Sequence, residues 1–134
     1  GIRDVAVTGV QTCALPISHP ATFVDHDLAP GGRMTYYMTS PEGQRFYGYW
    51  DVTDVTRPDG FRFRDGFALD ETFAPNTALP ESSADFTFTP TDTGTRATFV
   101  TSYASADDLQ KVLDMGVVEG SSLAINQIDD LLAA

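Results

Sequence analysis

Residues 105–132 hold the one long run of helical periodicity in this chain, and they follow a stretch that alternates almost continuously like strands. Ser105 with Asp108 three residues on forms a capping pair for a helix start. Leu109, Val112 and Leu113 then fall on one helical face, and Ala124, Ile128, Leu131 and Leu132 repeat the spacing. Gly116 and Gly120 interrupt it, each costing about 1 kcal/mol against alanine, so a break is expected near Gly116. An amphipathic helix needs an apolar surface to lie on, and half-buried strands supply one. The pattern therefore predicts an α+β domain.

The strands are read from alternation and from the turns between them. Thr22–Leu28 opens the series and Ala29-Pro30-Gly31-Gly32 turns the chain. Arg33–Thr39 places Met34, Tyr36 and Met38 on one face, and Ser40-Pro41-Glu42-Gly43 turns again. Gln44–Thr56 is long, with Phe46, Gly48, Trp50 and Val52 together and Gly48 a candidate bend or bulge. After Arg57-Pro58-Asp59-Gly60, Phe61–Asp65 alternates with phenylalanines in and arginines out, and Gly66–Pro80 reads as a loop. Ser82–Thr89 and Thr95–Tyr103 flank a hairpin turn at 90–94. Six strands joined mostly by short turns imply an antiparallel meander.

The first eighteen residues stand apart. Gly1-Ile2-Arg3-Asp4 and Val7–Ile17 resemble the translation of the two ends of a short-read sequencing adapter, with Val5-Ala6 filling the place of a sample index. Residues 1–18 are therefore expected to be a non-native segment that packs loosely, and 19–134 an N-terminally truncated domain. A signal peptide fits poorly, because no basic start precedes an apolar core. Cys13, the only cysteine, lies in this segment, which leaves no disulfide or thiolate chemistry for the remainder. The net charge of −11 is unchanged without it, since Arg3 and Asp4 cancel. A pI of about 4.2 argues against nucleic acid and against an anionic membrane surface as partners. No stretch is apolar enough to span a bilayer, and a cytoplasmic location is expected.

Chemistry-bearing motifs are scarce. His19 adjoins the adapter-like segment, and His26 is flanked by Asp25 and Asp27, which alternation sends to the opposite face. A zinc site has nothing to be built from, and no nucleophile elbow, phosphate loop or calcium loop is present. No catalytic residue, metal or cofactor is assigned. The positive signal is aromatic: Met34, Tyr36, Phe46, Trp50, Phe63, Phe86 and Phe99 are expected on one inward surface. Such a set serves as ordinary core, and equally as the wall of an apolar ligand cavity.

Several stretches resemble one family, the activator-of-heat-shock-protein-ATPase homologues of the SRPBCC (START-like, helix-grip) superfamily. Asp27-Leu28-Ala29-Pro30-Gly31-Gly32-Arg33 resembles its Asp-x-Arg-Pro-Gly-Gly turn, and Ser40-Pro41-Glu42-Gly43 with Gly48-Tyr49-Trp50 its next turn and strand. Gly94-Thr95-Arg96 resembles its Gly-Gly-Thr-Arg hairpin, and Glu119-Gly120 ahead of Ile128–Leu132 the end of its last helix. Leu28-Ala29 and Ser121 depart from the pattern, and the family's opening strand and two helices have no counterpart here. The resemblance implies a curved antiparallel sheet gripping a long C-terminal helix, incomplete in this chain, with a cavity between sheet and helix.

Three functions follow as expectations. The first is binding of a small apolar or aromatic molecule by the seven inward residues. The second is an enzyme, a cyclase or hydrolase working through His26, Tyr36 or Asp65. The third is a co-chaperone-like module whose partner is a chaperone. Fold-level analogy alone does not choose among them.

Overall fold

The computed structural model describes residues 21–133, apart from the side chain of Leu131. Residues 1–18 and His19 lie outside the described residues. Six strands follow in order: β1 (Ala21–His26), β2 (Arg33–Thr39), β3 (Arg45–Thr56), β4 (Gly60–Ala68), β5 (Ser82–Pro90) and β6 (Thr95–Tyr103). They form one antiparallel sheet in sequence order, so every strand pairs with its chain neighbours. Two helices close the chain, α1 (Ala106–Asp114) and α2 (Val117–Ala133).

The helical stretch is thus broken where its glycines foretell. The Ser105 hydroxyl accepts from the Asp108 N–H at 3.1 Å and caps α1. Gly116, at φ +83°, ends the turn with its N–H donated to the Leu113 carbonyl. The chain then starts again as α2, whose Ala124 is fully buried and whose Ile128 packs against the sheet.

Register assigns the side chains to two faces. Leu28, Met34, Tyr36, Trp50, Val52, Phe61, Phe63, Ala84 and Phe86 form one buried cluster on the inner face, towards α2. Two bulges keep this set together. Asp54 pairs with Arg62 but Val52 pairs with Phe63, so Thr53 is an extra residue in β3. Without it, Val52 would stand opposite Arg64 and the apolar sets of β3 and β4 would point to opposite faces. Val24 has the same role in β1.

Gly48 is not the bulge. It pairs with Tyr36, and a Cβ there would stand 2.6 Å from the Tyr36 ring, so the glycine makes room for an aromatic lying across the neighbouring strand. Gly66 does the same on the outer face, beneath the ring of its partner Tyr49. This is also why β4 runs on to Ala68, past the point where its alternation stops being readable. The 69–81 loop then folds back, and Phe73 joins Tyr49 and Ala68 in a small second cluster on the outer face. Among the described residues no helix is long and apolar enough to cross a membrane.

Candidate functional site

One transverse row crosses the inner face from edge to edge. His26 is paired with Met34, Met34 with Trp50, Trp50 with Asp65, Asp65 with Ser82, and Ser82 with Tyr103. Met34 and Trp50 are apolar floor, whereas Asp65, Ser82 and Tyr103 make the β4–β6 end of the row polar. Tyr36 stands in the adjacent row, one pair along β2.

Trp50 is the hub. Its ring stacks on Phe63 at 4.0 Å between centroids and meets Tyr36, Phe86 and Phe23 edge-on at 6.3–6.4 Å. These contacts bury it to 5% exposure. The indole Nε1–H is buried with them, close enough to Tyr36 and Asp65 to favour both ionised forms. Even so, no acceptor meets it at hydrogen-bonding distance and angle among the described residues. A buried donor left unpaired costs about 1–3 kcal/mol, so its persistence calls for a reason. Gln127 Nε2, on α2, is a second buried donor without an acceptor. Arg33 Nε also lacks a well-aimed acceptor, but Asp51 Oδ1 lies 3.1 Å away and compensates its charge.

Asp65 is half-buried, and burial pushes its carboxyl from the usual carboxylate range up to about 7. The Trp50 N–H opposes that shift and the charge of Glu81 adds to it. Burial also raises the Tyr36 hydroxyl well above its ordinary value, with the Asp65 charge contributing and Trp50 opposing. Tyr103 is raised for the same two reasons, and Ser82 opposite it pulls the other way. A carboxyl that titrates near neutrality, between two phenols and an unpaired indole N–H, can anchor a polar group or exchange a proton.

Of the seven residues expected inward, Met34, Tyr36, Trp50, Phe63 and Phe86 come together in one buried cluster, with Phe99 packed against it. Phe46 lies outside that cluster at 43% exposure, near the end of β3. Of the three residues considered for catalysis, Tyr36 and Asp65 lie on either side of Trp50. His26 sits on β1, three strands from Asp65 or about 14 Å at normal strand spacing, and does not join them. Sequence reasoning named Asp65 but missed Ser82, Tyr103 and the polar side of Trp50. The signal was in the register, which requires placing the Thr53 bulge first.

An open cleft of about 310 Å³ lies elsewhere, bordered by Asp54, Asp59, Arg62, Asp85 and Thr87; of the seven residues only Phe86 touches it. Among the described residues no three His, Cys, Asp or Glu side chains are grouped to hold a metal ion.

The model of the family described as Activator of Hsp90 ATPase homolog 1-like protein matches residues 19–133. Solved structures agree. Protein Ms6760 from Mycobacterium smegmatis is 58% identical, with a TM-score of 0.84 over 98% of this chain and 81% of its own. A protein from Arthrobacter aurescens is 35% identical, with a TM-score of 0.88 over 98% of this chain and 77% of its own. The AHSA1 protein from Silicibacter pomeroyi, at 20% identity and a TM-score of 0.73 over 98% of this chain and 88% of its own, shares the fold. No curated protein matches the chain.

Proposed function

The chain belongs to the Activator of Hsp90 ATPase homolog 1-like family, and we propose that it binds a small apolar or aromatic molecule between the inner face of the sheet and α2. The apolar body lies on the Trp50, Phe63, Phe86 and Phe99 side chains, and its polar atom is held by the row of Trp50, Asp65, Ser82 and Tyr103 together with Tyr36. The observation that carries this reading is the buried Trp50 N–H, which no acceptor among the described residues meets at hydrogen-bonding distance and angle, set in an aromatic surface beside a carboxyl. Pockets for small molecules have this composition, apolar walls with a few convergent polar groups. The small residues Gly120, Ser121 and Ala124 give α2 a low profile where it faces the sheet.

A panel of apolar and aromatic compounds, read by thermal shift and by the emission of the single tryptophan, tests the proposal. At least one compound class is expected to raise Tm and move the Trp50 emission together. If no class does either, the reading fails.

A chaperone-directed role is the second reading. It is supported by the family's name and by exposed Leu109, Leu113, Val118, Leu123 and Ile125 on the two helices and Met115 in the turn between them. Adding the chain to a purified Hsp90 should then change its ATPase rate; an unaltered rate at saturating chain removes this reading.

A further inference from the structure

The charges of the sheet are divided by face. Register and contacts place Asp25, Arg33, Arg45, Asp51, Asp54, Arg62, Arg64, Asp85 and Arg96 on the outer face. There Arg33 lies 3.1 Å from Asp51, Arg62 3.1 Å from Asp85 and Arg64 3.9 Å from Asp51, and Arg45 stacks 4.3 Å over Tyr37. Asp65 is the one charged strand residue that register turns inward, apart from the titratable His26 at the far edge. None of the ion pairs among the described residues includes it, and the charge that acts on it, Glu81, is also negative. The helix that covers this face contributes no basic residue. A carboxylate taken from water without a counter-charge is costly, and a ligand that brings the counter-charge removes that cost.

The walls around it favour the same sign. Trp50 stands beside Asp65 on β3, Phe63 lies under Trp50, and Tyr36 and Tyr103 flank the carboxyl. Aromatic faces attract cations through their ring quadrupoles, most strongly when the cation is desolvated. An anionic head, such as that of a fatty acid, would meet Asp65 with no compensating base on the described inner face, and the charge of Glu81 adds to the repulsion.

We infer that the ligand of this site is an organic cation, a protonated nitrogen on an apolar or aromatic body, with that nitrogen on Asp65 and the body on the Trp50–Phe63 stack. The unpaired Trp50 N–H, at the same place, suits an acceptor atom next to the nitrogen. This inference rests on the ligand-binding reading above and narrows it to one charge class.

The test is isothermal titration of the full chain, near neutral pH, with two series that change only the head: decylamine, decanol and decanoic acid; phenethylamine, phenethyl alcohol and phenylacetic acid. In each series the amine is expected to bind at least about tenfold more tightly than the alcohol, and the acid most weakly. Asp65→Asn should bring the amine down to the level of the alcohol. Should that variant fail to fold, the head-group order on the unaltered protein decides alone. An alcohol or acid that binds as tightly as its amine overturns the cation inference and leaves the ligand-binding reading standing. If no member of either series binds, both fall.

Discussion

Tyr49 and Trp50 are neighbours in β3, equally buried at 3% and 5% exposure, and they face opposite sides of the sheet. On the outer side the aromatic's own polar atom has a partner, and the Arg33 above it, whose Nε lacks a well-aimed acceptor, has its charge compensated. The Tyr49 hydroxyl donates to Glu81 Oε2 at 2.7 Å, and Arg33 lies 4.5 Å over its ring while paired with Asp51. Burial and the Glu81 bond together push that hydroxyl up to about 12. On the inner side, among the described residues, no acceptor meets the Trp50 N–H at hydrogen-bonding distance and angle, and no cation pairs with the Asp65 carboxyl. The chain can satisfy a buried aromatic's polar atom, and does so one residue away. An unsatisfied face on the same strand therefore marks a place kept for something that the described residues do not supply.

Trp50→Ala should have the largest effect. It removes the ring that Phe23, Tyr36, Phe61, Phe63 and Phe86 all touch. The expected loss is about 3–5 kcal/mol, a large part of a small domain's stability, measured by urea unfolding.

Asp65→Asn should go the other way. The folded-state pKa is about 7 against a reference of 3.8. Folding is therefore favoured by the neutral carboxyl below about pH 4, and that contribution is lost as pH rises to about 7. Above that, the ionised carboxylate destabilises the fold by up to about 4 kcal/mol, at about 1.4 kcal/mol per unit. The variant should thus be more stable than the parent at pH 8 and equal to it below pH 4. Denaturant melts of both proteins across this range measure the difference. A difference that does not change with pH would contradict the unpaired carboxyl.

Tyr49→Phe removes the outer face's hydrogen bond to Glu81 and leaves the ring over Gly66. A loss of about 1 kcal/mol is expected in the same melts. Arg62→Ala should do least. Its pair with Asp85 is exposed on both partners, and such pairs are worth less than about 0.5 kcal/mol.

Much of this fold was legible in the sequence because alternation and turn chemistry agree. Arg33–Thr39 and Thr95–Tyr103 are strands over the residues their pattern predicts, and Gly116 divides the helices. What stayed hidden depends on neighbouring strands. The Thr53 bulge has no local signature, yet it decides that Trp50 faces Asp65. The extension of β4 through Gly66 is masked because that glycine serves Tyr49 on another strand. Phe73, a non-glycine residue at φ +57°, returns to the outer face by a loop whose sequence gives no sign of it. The aromatic cluster was legible, Phe46 apart, because Phe63, Phe86 and Phe99 alternate within their own strands. The polar end was not, because Asp65, Ser82 and Tyr103 meet only through register.

The claim that the inner face awaits a partner atom is tested most directly at Trp50 itself. The chain has one tryptophan, so an isotope-labelled sample gives one indole N–H resonance. Titration with 1-aminodecan-2-ol, whose hydroxyl oxygen is an acceptor on the carbon next to the one bearing the protonated nitrogen, is predicted to move that resonance downfield and slow its exchange with water, as the new acceptor takes the hydrogen. A resonance that stays at its unliganded position through saturation, while backbone amides elsewhere report binding, would place the ligand away from this face and contradict the account.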